Sequence, residues 1–291
     1  MASLSQWVGG ARPRTLPTAI SAVAVGTGLA VNAGALIPLR ALLALLVAVS
    51  LQIGVNYAND YSDGIKGTDE ARVGPVRLVG QRLASPTSVR LAAFASFAVA
   101  AVLGTILIAL VGQWWLLLIG VACVAAAWLY TGGPRPYGYH GLGEVFVLVF
   151  FGIVPVVGTL YVQSLTVTVA SIVASVGVGL LACAVLVTNN LRDIPTDLAS
   201  GKRTLAVRLG DARTRRLYFA LIAGAAATTF VVSGLISWWL LITLVALGLA
   251  VQPVSLVRTG ASGPALVPVL KGTGLLVLGY GLALAAGLCL V

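Results

Sequence analysis

Apolar residues along this chain run on for about 20 positions at a time before a short polar turn cuts them. Runs of that length match the hydrocarbon thickness of a bilayer, whereas the strands of a membrane barrel would alternate polar and apolar at every second residue. The pattern predicts nine membrane-spanning helices, at roughly 15–33, 41–60, 89–111, 114–131, 143–162, 168–188, 216–236, 239–257 and 266–289. The turns on one side are a few residues long, while two on the other side, 61–88 and 189–215, are long and so are where function is expected. No low-complexity stretch or linker divides the chain, and residues 1–291 read as a single all-α polytopic bundle.

Composition agrees with lipid as the solvent. Of 291 residues, 59% are hydrophobic and 9% charged, against about 25% charged in a water-soluble domain. The net charge of +10 could point to nucleic acid, but its distribution excludes that. With the N-terminus inside, the inner segments hold Arg12, Arg14, Lys66, Arg72, Arg77, Arg82, Arg90, Arg135, Arg192, Lys202, Arg203, Arg208, Arg213, Arg215, Arg216, Arg258 and Lys271, and the outer side keeps Arg40. That is the positive-inside signature of a cell-membrane protein whose N-terminus and long loops are cytoplasmic. Trp114, Trp115, Trp238 and Trp239 fall where an interfacial aromatic belt is expected. Cys123, Cys183 and Cys289 lie in apolar stretches and suggest neither a disulfide nor a metal cluster. The N-terminal stretch lacks the apolar core and small-residue cleavage site of a removable signal, so the first span is expected to be retained.

The acids carry the chemistry. Six of the eight fall in two clusters at the inner ends of the second and sixth spans. In NYANDYSDGIKGTD, residues Asn56, Asp60 and Asp63 repeat at i, i+4 and i+7 of the emerging helix, and Gly64 and Gly67 let the backbone leave it and return Asp69 to that face. In TNNLRDIPTDLASGKRTL, residues Asn189, Asp193 and Asp197 repeat at i, i+4 and i+8, and Pro195 between the aspartates suggests that the helix ends or kinks there. An aspartate near membrane depth costs about 2.5–3.5 kcal/mol on insertion scales, so several together demand a counter-charge. Oxygen-only ligands favour magnesium, which binds through one or two carboxylates and is completed by substrate phosphates. Glu70 and Asp211 read as solvated surface acids.

A polyprenyl diphosphate suits both halves of such a molecule: its head needs metal and cations, its tail an apolar groove. Lys66, Arg72, Arg77, Arg135, Arg192, Lys202 and Arg203 are placed to meet a departing diphosphate, Lys202 after DLASG foremost. Between the fourth and fifth spans, YTGGPRPYGYHGLGE is an ordered turn, from its prolines and glycines, with Tyr130, Arg135, Tyr137, Tyr139 and His140 giving aromatic and cationic character. A flat phenolic acid could stack there with Arg135 meeting its carboxylate.

At these stretches the chain resembles the UbiA-type family of intramembrane aromatic prenyltransferases, over essentially its whole length. Asn59, Asp60 and Asp63 match the start of the family's NDxxDxxxD motif. Gly67 stands where its last aspartate would be, and Asp69 follows two residues later, the form expected of the branch that prenylates a dihydroxynaphthoate. Asp193 and Asp197 match DxxxD. The resemblance implies a bundle whose central cavity opens to the inner face. It also implies that Asp60, Asp63, Asp69, Asp193 and Asp197 hold two magnesium ions on the diphosphate. Asn56, Asn59, Lys66, Arg72, Tyr130, Arg135, Tyr139, Asn189, Asn190, Arg192 and Lys202 are then expected to bind substrate, with Asp63, Asp193 and Lys202 at the centre of catalysis. The implied reaction takes a polyprenyl diphosphate and 1,4-dihydroxy-2-naphthoate to a demethylmenaquinone, pyrophosphate and carbon dioxide. The nearest rival is the same transfer onto another acceptor, such as 4-hydroxybenzoate. A cation-coupled transporter would place acids near the midplane of several spans, and a structural scaffold leaves the aligned aspartates unexplained.

Overall fold

The computed structural model describes residues 2–67 and 76–291, and every regular element within them is a helix. Nine apolar helices follow one another: α1 (Leu16–Asn32), α2 (Pro38–Ile65), α3 (Pro86–Val111), α4 (Leu116–Leu129), α5 (Gly143–Ser164), α6 (Val169–Ala199), α7 (Asp211–Leu235), α8 (Trp238–Arg258) and α9 (Gly263–Cys289). Eight are long and apolar enough to cross a membrane, α1 being taken with its lead-in from Leu4; α4 has 14 residues. At 1.5 Å per residue α4 spans about 21 Å, short of the roughly 30 Å of hydrocarbon.

The two helices that carry the acid clusters run beyond their expected ends. α2 continues more than one turn past residue 60, and α6 about three turns past 188, so Asp60, Asp63, Asp193 and Asp197 all sit on helix. Of the two expectations at Pro195, an end or a kink, the end is corrected. The ring removes the N–H that would donate to Leu191, yet the helix proceeds to Ala199. Its stop comes instead at Gly201, where φ is +74°, a left-handed value that glycine adopts without a Cβ penalty. There the Gly201 N–H donates to the Leu198 carbonyl at 3.2 Å and the Lys202 N–H to the Asp197 carbonyl at 2.8 Å, the paired bonds of a Schellman ending. This turn folds Lys202 back beside Asp197. α2 likewise ends just before a left-handed glycine, Gly67 with φ +71°, whose N–H donates to the Gly64 carbonyl at 3.3 Å.

Because lipid gives helices no hydrophobic reason to associate, small residues and hydroxyls hold such bundles together. α1 packs on α5 and α9. A Cβ at Gly26 would lie 2.5 Å from the Val156 carbonyl oxygen of α5, and one at Gly28 would lie 2.8 Å from the Ala285 carbonyl oxygen of α9. α7 and α9 are joined by two buried tyrosine–threonine pairs, Tyr218–Thr273 and Tyr280–Thr229, each 2.8 Å between oxygens. At the end of the bundle far from the acids, Arg40 donates to the Leu110 carbonyl at 2.7 Å and the Val162 carbonyl at 3.0 Å. It thereby caps two helix termini whose last carbonyls lack partners within their own helices.

Candidate active site

A cavity of about 750 Å³ opens between these helices. Along α2 its wall runs from Val47 and Leu51 to Asn59 and Asp63, about 24 Å at the helical rise. Most of that length is apolar, with Leu107, Ile108, Ile119 and Val162 among the lining residues. The acid-cluster end is polar, lined by Asn56, Asn59, Asp63, Asn189, Asn190, Arg192 and Lys202, with Tyr130 beside them.

Lys202 joins the two clusters. Its Nζ is 3.9 Å from Asp63 Oδ2 on α2 and 3.9 Å from Asp197 Oδ1 on α6. Tyr139 completes the junction, donating its hydroxyl to Asp63 Oδ1 at 2.7 Å, while the Lys66 and Lys202 ammoniums lie 4.7 Å and 5.0 Å from its ring centroid. Lys66 also donates to the Thr131 carbonyl at 2.7 Å, and the Thr131 hydroxyl donates to Asn59 Oδ1 at 2.9 Å. Partial burial draws the Lys66 pKa below the ordinary lysine value; Asp63 opposes that shift and Lys202 adds to it. Burial pushes the Tyr137 phenol up. Asp193 meets Arg192 through two hydrogen bonds of 2.7 and 2.8 Å, and Arg192 also donates to Asn189 Oδ1 at 2.7 Å.

The remaining expected residues are placed differently. Asp60 is fully buried and does not line the cavity; its two oxygens accept the Leu78 and Val79 N–H groups at 2.7 and 3.1 Å. Asn56 lines the cavity but spends its amide on the Ala11 carbonyl at 2.8 Å and the Thr15 hydroxyl at 2.9 Å. Arg135 is exposed and is not among the lining residues. Asp69 and Arg72 lie outside the described residues. Arg12 and Arg77, which charge distribution alone reads as topogenic or as general cations, both line the cavity. Thr131, at the second position of the glycine–proline turn, carried no signal beyond its neighbours.

The family model for the UbiA prenyltransferase family matches residues 19–265. The chain belongs to the UbiA prenyltransferase family. It is 57% identical over 288 residues to the 1,4-dihydroxy-2-naphthoate octaprenyltransferase of Mycobacterium tuberculosis (strain ATCC 25618 / H37Rv), covering 99% of this chain and 98% of that protein. To the enzyme of the same name from Escherichia coli (strain K12) it is 40% identical, covering 92% of this chain and 89% of that one. Among solved structures, a UbiA homolog from Archaeoglobus fulgidus bound to GPP and Mg2+ superposes with a TM-score of 0.67 at 15% identity, covering 97% of this chain and 99% of that one. A UbiA homolog from Aeropyrum pernix K1 gives 0.69 at 16%, covering 93% and 96%. The all-helical membrane fold is therefore the UbiA fold, and the chain is a prenyltransferase.

The donor set of this UbiA chain fits a hard divalent cation. The polar end offers carboxylate, amide and hydroxyl oxygens, and an ammonium already sits between carboxylates of the two clusters. Among the described residues no three Asp, Glu, His or Cys side chains converge on one point. An ion there would rest on one or two carboxylates and take the rest of its shell from water and phosphate, which is how magnesium is usually held.

Proposed function

We propose that this chain, acting as a single prenyltransferase domain over residues 1–291, moves a polyprenyl group from its diphosphate to 1,4-dihydroxy-2-naphthoate. Pyrophosphate and carbon dioxide leave, and the product is a demethylmenaquinone. The observation that carries the reading is Lys202 lying between Asp63 and Asp197 at the polar head of a long apolar cavity. One arrangement thus offers a seat for a charged head and another for an isoprenoid tail. The dihydroxynaphthoate acceptor is supported by relatives of that name over nearly full length.

In this reading Asp63 and Asp197, with Asp193 and Asp69 contributing, would hold two magnesium ions, which would supply Lewis-acid neutralisation of the diphosphate. Lys66, Lys202 and Arg192 face the charge that develops as the carbon–oxygen bond breaks, a task in which preorganised donors of fixed position lower the barrier. Asp63 keeps the Tyr139 hydroxyl in place, and that ring in turn meets both lysines. The apolar walls exclude water that would otherwise capture an allylic cation. We place the chain in the cell membrane with the acid-cluster end cytoplasmic, from the distribution of its cations.

Purified protein in detergent, given magnesium, a polyprenyl diphosphate and either 1,4-dihydroxy-2-naphthoate or 4-hydroxybenzoate, tests this directly. Lipid product and carbon dioxide from the naphthoate, abolished by EDTA and restored by magnesium, are expected. Product from hydroxybenzoate alone would overturn the acceptor, and EDTA-insensitive turnover would overturn the metal.

A further inference from the structure

Two acids stand outside both clusters and outside the reaction as described so far: Asp211, paired with Arg215 at 2.6 Å near the surface, and Glu144, which has no such ion pair among the described residues. Glu144 lies in the first turn of α5, and an ionisable side chain in a membrane-spanning helix is costly enough that it marks function unless a structural partner explains it. Its contacts go across to α6. Glu144 Oε1 accepts from Asn190 Nδ2 at 3.2 Å, and its main-chain carbonyl accepts from the Cys183 thiol at 3.1 Å. Glu144 Oε2 is buried with no hydrogen-bond partner among the described residues.

Helix geometry makes this reach possible. Where α5 crosses α6, a Cβ on Gly152 would lie 2.6 Å from the Gly179 Cα, so the two backbones touch. On α5 that glycine lies in a π-helical segment, Leu148–Ile153, a local widening found frequently at functional sites. The same helix brings Phe146 and Phe150 to the cavity wall, stacked at 5.9 Å, with Tyr137 stacked on Phe146 at 3.8 Å. Asn190, itself 5% exposed, lines the same cavity. Its position three residues before Asp193 sets it about one turn deeper than the acids.

Glu144 Oε1 accepts from the Asn190 amide nitrogen, which leaves the Asn190 carbonyl oxygen as the atom available to the cavity. That oxygen can accept a hydroxyl and cannot meet an ether. We propose that Glu144 is a positioning residue: it locks the Asn190 amide so that its oxygen accepts a phenolic hydroxyl of the aromatic acceptor, whose ring lies against Phe146 and Phe150. The inference rests on the prenyl-transfer reading and deepens it, by naming what distinguishes a hydroxylated ring from its methylated analogue.

The near-isosteric change Glu144→Gln removes the lock, because a glutamine amide donates as well as accepts and Asn190 can then face either way. In E144Q the KM for the dihydroxynaphthoate should rise about tenfold. The KM for the polyprenyl diphosphate, and kcat at saturating acceptor, should stay within about twofold, since binding to one substrate alone is loosened. A mono-O-methyl acceptor, rejected by the unaltered enzyme, should be discriminated against less strongly in both E144Q and N190A, and melting temperature in detergent reports whether the variants stay folded. Equal rises in both KM values, or methyl-ether discrimination that persists in both variants, would overturn the inference. Absence of any naphthoate turnover by the unaltered enzyme would remove the functional reading and this inference with it. Naphthoate turnover with an unchanged acceptor KM in E144Q would remove the inference alone.

Discussion

Asp60 and Asp63 are neighbours on one face of α2 with different surroundings. Asp60 is sealed beneath the 78–79 backbone, whose two N–H groups it accepts, whereas Asp63 faces the cavity, Tyr139 and Lys202. Substituting Asp60→Asn turns an amide N–H₂ toward a backbone N–H and leaves a buried donor unmet, at a cost of about 1–3 kcal/mol. Its expected signature is a lowered melting temperature in detergent. Asp63→Asn should leave that temperature nearly unchanged while kcat falls by about 10²–10³. Lys66 adds a pH dependence. Its pKa is lowered, so as pH rises it surrenders its charge before an ordinary lysine would, near about 10.4. The positive form grips the diphosphate, so the KM for that substrate should climb at alkaline pH from below the ordinary lysine range. Lys66→Arg, which stays protonated, should move the climb to higher pH; superimposable profiles for the two proteins would show that Lys66 does not contact the diphosphate.

At the scale of helices, what the sequence made legible was set by period. Asn56, Asp60 and Asp63, and again Asn189, Asp193 and Asp197, repeat at helical spacing, so their shared faces are legible in the sequence itself. Each of the nine apolar runs meets a helix among the described residues, and eight of these have the length that lipid imposes, α4 being the shorter one. Helix ends were less legible. Apolar runs stop where the bilayer stops, but α2 and α6 stop where glycine ends them, at Gly67 and Gly201, one and three turns later. Which aspartate is held by backbone amides, and which by Lys202, depends on contacts between residues far apart in sequence, and no local pattern encodes those. The same holds for Arg135, whose charge suggested a carboxylate partner and whose turn leaves it exposed. Close crossings are equally silent until two glycines are seen to meet. Gly152→Ala should therefore be costly, pressing a methyl on the Gly179 Cα at 2.6 Å, with overpacking worth about 1–3 kcal/mol. Gly158→Ala, also on α5 but with no atom within 4 Å of its added Cβ, is the matched control. Equal melting temperatures for the two variants would contradict the tight crossing of α5 on α6.

For the molecule as a whole, the cavity sets a limit on the donor. Gly120 on α4 and Gly158 on α5 both line it, and an added Cβ at either meets nothing within 4 Å. Both therefore hold open volume that a larger side chain would take up. In water, expelling five tail carbons would cost about 0.8 kcal/mol for each buried CH₂. Here the expelled tail enters lipid, which is as apolar as the wall it left, so the penalty is steric rather than hydrophobic and depends on tail length. A two-isoprene donor such as geranyl diphosphate needs little of the roughly 24 Å run from Asp63 to Val47, while a long polyprenyl donor needs most of it. Gly158→Phe should thus raise the KM for a long-chain donor about tenfold or more and leave that for geranyl diphosphate within about twofold, a steric separation by length of the kind that pocket volume imposes on substrate choice. Competition between the two donors in one reaction, read from the ratio of products, measures the shift without reference to absolute activity. If the ratio is the same as in the unaltered enzyme, the tail does not follow the apolar cavity past α5, and it must leave the head site toward lipid by another path.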